Sequence, residues 1–188
     1  MPLAGAGAQG SLVRYGRRMD LRPPATGPSE AELAALLERA IDLAVENVAR
    51  GREPFGSLVW RGGEVLGVGV NTLHDDADPT SHAEVNAIRA AASLLGTPFL
   101  PGATVVTSCE PCVMCLAVAA AADVAHIVYA APKELVPQLD GPERAQLPAM
   151  QDAVRALWAG TIRHVDHPRA AEPFERYVRS RIDEQSRP

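Results

Sequence analysis

From Ser29 onward the chain alternates helical apolar stripes with short apolar runs, and this alternation constrains the fold more than any other feature. The first stripe opens on Ser29-Glu30-Ala31-Glu32. This is a capping box: the Ser29 hydroxyl can accept from the Glu32 N–H, and the Glu32 carboxylate can reach back to the Ser29 N–H. Leu33, Leu36, Leu37, Ala40, Ile41, Ala44, Val45 and Val48 then recur at steps of three and four, and Gly51 supplies a left-handed stop. Two apolar runs over residues 55–60 and 65–70, joined by Arg61-Gly62-Gly63-Glu64, have the chemistry of a hairpin. Beyond them the sequence predicts helix over 82–95, strand over 104–108, helix over 112–122 and strand over 127–130. Residues 131–148, with Pro132, Pro137, Pro142 and Pro148, read as loop with at most a helical turn. Helix over 150–158, strand over 161–165 and helix over 172–181 complete the order α-β-β-α-β-α-β-α-β-α. Strands separated by helices pair mostly in parallel under helices on both faces, and the hairpin adds an antiparallel edge.

Of the 188 residues, 47% are apolar, enough for one domain that needs neither disulfide nor structural metal to stay folded. Residues 1–28 are rich in Gly, Pro and Arg and are expected to be mostly disordered: a floppy tail, or a start assigned too early with Met19 as the true beginning, although an Arg-rich, acid-poor stretch also matches an organelle transit segment in composition. Four Arg against Asp20 give this segment a charge of +3. The body over residues 29–188 therefore carries −8 where the whole chain carries −5. An acidic body disfavours nucleic acid as a partner, and no run of about 20 apolar residues is present to span a membrane. Cys109, Cys112 and Cys115 are the only cysteines. Three within seven residues cannot form a disulfide framework, so the chain reads as cytoplasmic with a metal-binding or reactive cluster.

Two predicted helix starts hold the chemistry, Ser81-His82-Ala83-Glu84 and Cys109-Glu110-Pro111-Cys112-Val113-Met114-Cys115. Cysteines three apart in a first turn present both sulfurs to one side, where the positive end of the helix dipole favours thiolates. His82 as a third donor completes the three-ligand shell of a catalytic Zn²⁺, with the fourth position left for water whose pKa falls towards about 7. Glu84, two residues past His82, is placed to carry protons rather than to ligate. Two other readings of the cysteines are an iron-sulfur site, which lacks a fourth thiolate, and a closed zinc site including Cys109, which precedes Pro111 and is awkwardly placed. Cys109 is read as lining the approach to the site.

The pairing of His82-Ala83-Glu84 with Pro111-Cys112-Val113-Met114-Cys115 is the signature of the zinc deaminases. The chain resembles the cytidine deaminase-like superfamily over about residues 53–131, and more weakly to its last helix. Pro54-Phe55-Gly56-Ser57, Asn71, Asp78-Pro79-Thr80-Ser81 and Thr107-Ser108-Cys109-Glu110 are most similar to the bacterial guanine deaminase and cytosine deaminase group. The resemblance implies a three-layer α-β-α fold with a five-stranded mixed sheet, a Zn²⁺ cofactor, and a homodimer acting on a small nucleobase with water. It also implies that Phe55 stacks on the base, that Asn71 bonds the ring edge and that the Ala83 backbone helps fix the reacting amidine. On residue type alone, Phe55 can equally be a core aromatic and Asn71 a turn residue.

The segment after residue 130 departs from the guanine deaminase pattern, which has an acidic-aromatic stretch there with an Asp that assists proton transfer. Asp140 and Glu134 are candidates to stand in for it. Phe174 and Tyr177 resemble the family's last helix, which reaches the partner subunit's site; they can equally anchor that helix to its own sheet. Purine, pyrimidine and triazine amines all suit such a centre, and guanine to xanthine is the first choice. The competing readings are a tRNA adenosine deaminase, for which only the arginines between Arg163 and Arg181 speak, and a catalytically silent zinc module, against which Glu84 speaks.

Overall fold

The computed structural model describes residues 27–137 and 147–186. Nearly all of the N-terminal segment, together with Asp140, lies outside the described residues. Helix α1 spans Glu30–Ala49, and both halves of its capping box form: the Glu32 N–H donates to Ser29 Oγ at 3.3 Å, and the Ser29 N–H donates to Glu32 Oε2 at 3.0 Å. Strands β1 (Gly56–Arg61) and β2 (Glu64–Val70) form the hairpin. They are followed by α2 (Leu73–Asp76), α3 (Ala83–Leu95), β3 (Thr104–Cys109), α4 (Val113–Ala121) and β4 (His126–Ala131). A single 3-10 turn at Lys133–Leu135, then α5 (Leu147–Leu157), β5 (Thr161–His164) and α6 (Glu172–Gln185) complete the described chain.

The sheet order is β2-β1-β3-β4-β5. β1 is antiparallel to both β2 and β3, while β3, β4 and β5 run parallel. Alternation along each strand divides the core into two layers. Leu58, Trp60, Val106 and Val128 face α1 and Phe174 of α6, whereas Val59, Val105 and Ile127 face Ala87, Ile88 and Ala91 of α3 and Leu116 and Ala119 of α4. The arrangement is the three-layer α-β-α sandwich expected from the alternation and from the resemblance.

Helix α2 was not anticipated, and its cause is local. The Leu73 N–H donates to the Asn71 side-chain oxygen at 3.0 Å, and the Thr72 hydroxyl donates to Asp76 at 2.6 Å, so side chains close a turn that carries no apolar period. Helix α5, described from Leu147, takes in Pro148 and reaches earlier than the predicted 150.

Helix α3 lies unusually close to β2. A Cβ on Gly69 would sit 2.3 Å from the Ala83 carbonyl oxygen and 2.4 Å from the Ala87 nitrogen; one on Gly67 would sit 2.5 Å from the Ala87 oxygen. Two glycines on one face of the strand thus let the helix backbone rest on the sheet. The start of α3 is held directly over the end of β2.

Candidate active site

The two chemistry-bearing turns meet at one end of the sheet. His82 is the N-cap of α3 and Cys112 the N-cap of α4, both in extended backbone conformation, and Cys115 lies in the first turn of α4. Their donor atoms form a nearly equilateral triangle. His82 Nδ1 is 3.7 Å from Cys112 Sγ and 3.7 Å from Cys115 Sγ, and the two sulfurs are 3.6 Å apart. A tetrahedral zinc with bonds of about 2.3 Å to sulfur and about 2.0–2.1 Å to nitrogen spaces its donors about 3.6–3.8 Å apart. The triangle therefore fits the ion in both size and donor chemistry. It is the one such group of His, Cys, Asp and Glu side chains among the described residues.

Electrostatics set these groups apart from ordinary surface side chains. Cys112 is held at about 4, because the Cys115 thiol and the His82 ring bond to its thiolate more strongly than burial opposes the charge. The Cys115 thiol is pushed well up by its bond to Cys112 and by burial, so without a metal the pair holds one negative charge. Burial disfavours charge on His82, but the Cys112 thiolate outweighs it and raises the imidazole's pKa. Glu84 is 8% exposed and is raised to about 7, first by burial and then by the Cys112 charge. A carboxyl that titrates near neutrality can take up and give back a proton at working pH. Cys109, 3% exposed at the end of β3, belongs to the core layer under α1, and burial raises its thiol strongly.

Of the other sequence-predicted residues, Ala83, Phe55 and Asn71 lie where β1 and β2 meet the start of α3, and Phe174 and Tyr177 lie on α6. Ala83 is fully buried over Gly69. Phe55 and Asn71 flank the open end of the hairpin, where the Asn71 N–H donates to the Phe55 carbonyl at 3.3 Å. Phe55 is half-buried and meets Phe174 edge-on, with ring centroids 6.0 Å apart. Phe174 is a core residue of the α1 layer. Tyr177, one turn along, carries the Arg181 guanidinium 5.3 Å from its ring centroid. Asn71 is 3% exposed, and its amide is already oriented: Nδ2 donates to Glu53 Oε2 at 2.8 Å, while Oδ1 accepts from Leu73.

Several positioning contacts were missed in the sequence. Glu53 and Asn47 are both buried, and Asn47 Nδ2 donates to the carbonyls of Glu53 (2.8 Å) and Asn71 (2.9 Å), tying α1 to the Asn71 turn. Asn47 lies on the buried side of α1 between Ala44 and Val48, and a polar residue in an apolar stripe was the available signal. Asn86 Nδ2 donates to the Val70 carbonyl at 2.9 Å and to Thr72 Oγ1 at 3.0 Å, closing the loop that leads to His82. Around Cys112, the Glu110 carboxylate and the Pro111 carbonyl receive bonds from Gln151 and Arg155 of α5. No motif marks these residues, since each acts through tertiary contact alone.

Comparison with known proteins places the chain among deaminases. It is 42% identical over 126 residues to a tRNA(Ile)-lysidine synthase of Deinococcus radiodurans, covering 66% of this chain and 21% of that protein. It is 46% identical over 81 residues to the guanine deaminase of Bacillus subtilis, covering 43% of this chain and 52% of the enzyme. The matches therefore span about a fifth and about half of these relatives. A solved chain from studies of A-to-I editing by tRNA:A34 deaminases superposes with a TM-score of 0.58 at 25% identity, over 71% of this chain and 99% of that one. Residues 31–131, more than half of the sequence, match the model of the cytidine and deoxycytidylate deaminase zinc-binding region, and the chain belongs to that family.

Proposed function

We propose that the protein is a zinc-dependent hydrolytic deaminase of a free heterocyclic base, with guanine to xanthine and ammonia as its first reaction. The observation that carries this reading is the donor triangle of His82, Cys112 and Cys115 with the neutral-titrating Glu84 buried beside it. The three donors would hold Zn²⁺, which when bound supplies the Lewis acidity that makes water nucleophilic near neutral pH. Glu84 takes a proton from the attacking water and delivers it to the amine nitrogen. Water adds at the amine-bearing carbon, the carbon–nitrogen bond breaks, and the nitrogen leaves as ammonia.

The surrounding residues suit a planar base. Phe55 offers an aromatic face, and Asn71, its amide oriented by Glu53 and Leu73, keeps one further N–H and one further lone pair for a ring edge. The acidic body disfavours a polyanion, and the segment between Asn71 and His82 carries Asp75, Asp76 and Asp78, of which Asp75 and Asp78 are paired with Arg52 and Arg89. In this reading Zn²⁺ is the cofactor and the working form is a homodimer, which sedimentation would register as twice the chain mass. Among the described residues no helix is long and apolar enough to cross a membrane.

A second reading, adenosine in a tRNA anticodon arm, is favoured by the likeness to the tRNA:A34 deaminase chain and by the lysidine synthase match. An ammonia-release screen separates the two. Guanine, guanosine, cytosine, cytidine, isocytosine, adenine and aminotriazines are presented alongside an anticodon stem-loop. Turnover of guanine or another free base supports the first reading, and turnover of the stem-loop with no free base replaces it by the second.

A further inference from the structure

Helix α5 lies outside the region matched by the family model, yet it supplies side-chain contacts to the turn before Cys112, which β4 holds through the Glu110 N–H donating to the Ala131 carbonyl at 2.8 Å. The Glu110 carboxylate is surrounded: Oε1 accepts from Arg155 Nη2 at 2.6 Å and from Gln151 Nε2 at 3.3 Å, and Oε2 accepts from the Lys133 N–H at 3.3 Å. Gln151 Nε2 also donates to the Pro111 carbonyl at 3.2 Å, and Gln151 Oε1 accepts from Lys133 Nζ. Gln151 is 5% exposed and is the single buried residue of α5. Val154 of α5 and the adjoining Trp158 pack on the core layer of α3 and α4, and to this apolar contact Gln151 adds a buried amide aimed at the turn. Cys112 itself has no side-chain cap, and Pro111 has no N–H to anchor it, so the turn depends on contacts from outside.

We propose that Gln151 and Arg155 are positioning residues for the metal centre, holding the Glu110-Pro111 turn so that Cys112 meets His82 and Cys115 at bonding distance. The inference rests on the reading of His82, Cys112 and Cys115 as zinc ligands. It assigns to α5 a task that the family region leaves to residues beyond its own limits. Groups one contact removed from a metal's ligands orient those ligands, and their loss typically costs about 10–100-fold in metal affinity or activity.

The test uses the full chain loaded with zinc or cobalt, with variants Gln151→Met, Arg155→Met and Arg155→Lys. Lys133→Met is added because it strips a partner from Gln151 at an exposed position and so spares the fold. Transfer of zinc to a chromogenic chelator is expected to be about tenfold faster or more from Gln151→Met and Arg155→Met than from the parent. Lys133→Met should fall between, and Arg155→Lys should recover part of the loss. The thiolate-to-cobalt charge-transfer band should weaken in the same order, with the far-UV circular dichroism unchanged. Transfer rates within twofold of the parent and an unaltered cobalt band, in folded Arg155→Met and Lys133→Met, would overturn the positioning role alone. A parent that binds no metal, or binds it equally well with Cys112→Ser, would overturn the ligand reading and this proposal with it.

Discussion

At the scale of single residues, the proposed chemistry rests on Glu84. Its replacement by Gln keeps the size and removes the proton. Turnover is expected to fall by roughly 10²- to 10⁴-fold with metal content unchanged, and a variant retaining more than about a tenth of parental turnover with its metal in place would remove Glu84 from proton transfer. The same side chain gives a pH signature in metal-stripped protein. Its pKa is raised from 4.5 to about 7 by folding, so the stability it contributes is complete below the unfolded value and is lost as pH rises towards 7. Urea midpoints of Glu84→Gln should accordingly improve relative to the parent between about pH 4.5 and 7; a constant offset across that window would contradict burial of the charge. Cys109 provides the contrast: Cys109→Ala should leave metal stoichiometry unchanged, and a loss of bound metal would place it among the ligands. The structure brings the donor atoms of His82, Cys112 and Cys115 together, and their grouping was legible because zinc chemistry would fix both residue type and spacing. Glu53, Asn47, Gln151 and Arg155 were not, because a hydrogen bond between distant segments leaves no periodic trace in either.

Elements were readable wherever a period or a cap was written into them. α1 shows both, and its buried residues are those of the apolar stripe with Val45 only partly buried and Asn47 added. α2 and the part of α5 before residue 150 were not, because a side-chain-closed turn and a proline within the helix oppose the usual signals. The contact of α3 with β2 yields a test at this scale. Gly69→Ala and Gly67→Ala each force a Cβ against helix backbone that cannot rotate away. Each should cost about 1–3 kcal/mol, read from chemical denaturation. Gly69 lies against Ala83, between His82 and Glu84, whereas Gly67 lies a turn further along. Metal affinity should therefore fall more for Gly69→Ala than for Gly67→Ala, and equal affinities would separate helix placement from ligand placement.

For the whole molecule, two apolar layers on either side of a five-stranded sheet are expected to hold the fold whether or not a metal is bound. Chelation should leave the far-UV spectrum intact and lower Tm by roughly 5 to 10 °C at zinc concentrations about a hundredfold above Kd in the loaded reference; unfolding on chelation would assign the ion a structural part. The layer order and the mixed sheet followed from the succession of elements, but the central pairing of β1 with β3 did not, since no local pattern records which strands become neighbours. That pairing joins Ser57 to Thr107, fifty positions along the chain. The hairpin and the helix laid upon it are local and can assemble quickly, whereas β3 and the turn that follows it must close a long loop to arrive. His82 thus belongs to the locally closed half of the molecule, whereas Cys112 and Cys115 join it only through the long-range pairing of β1 with β3.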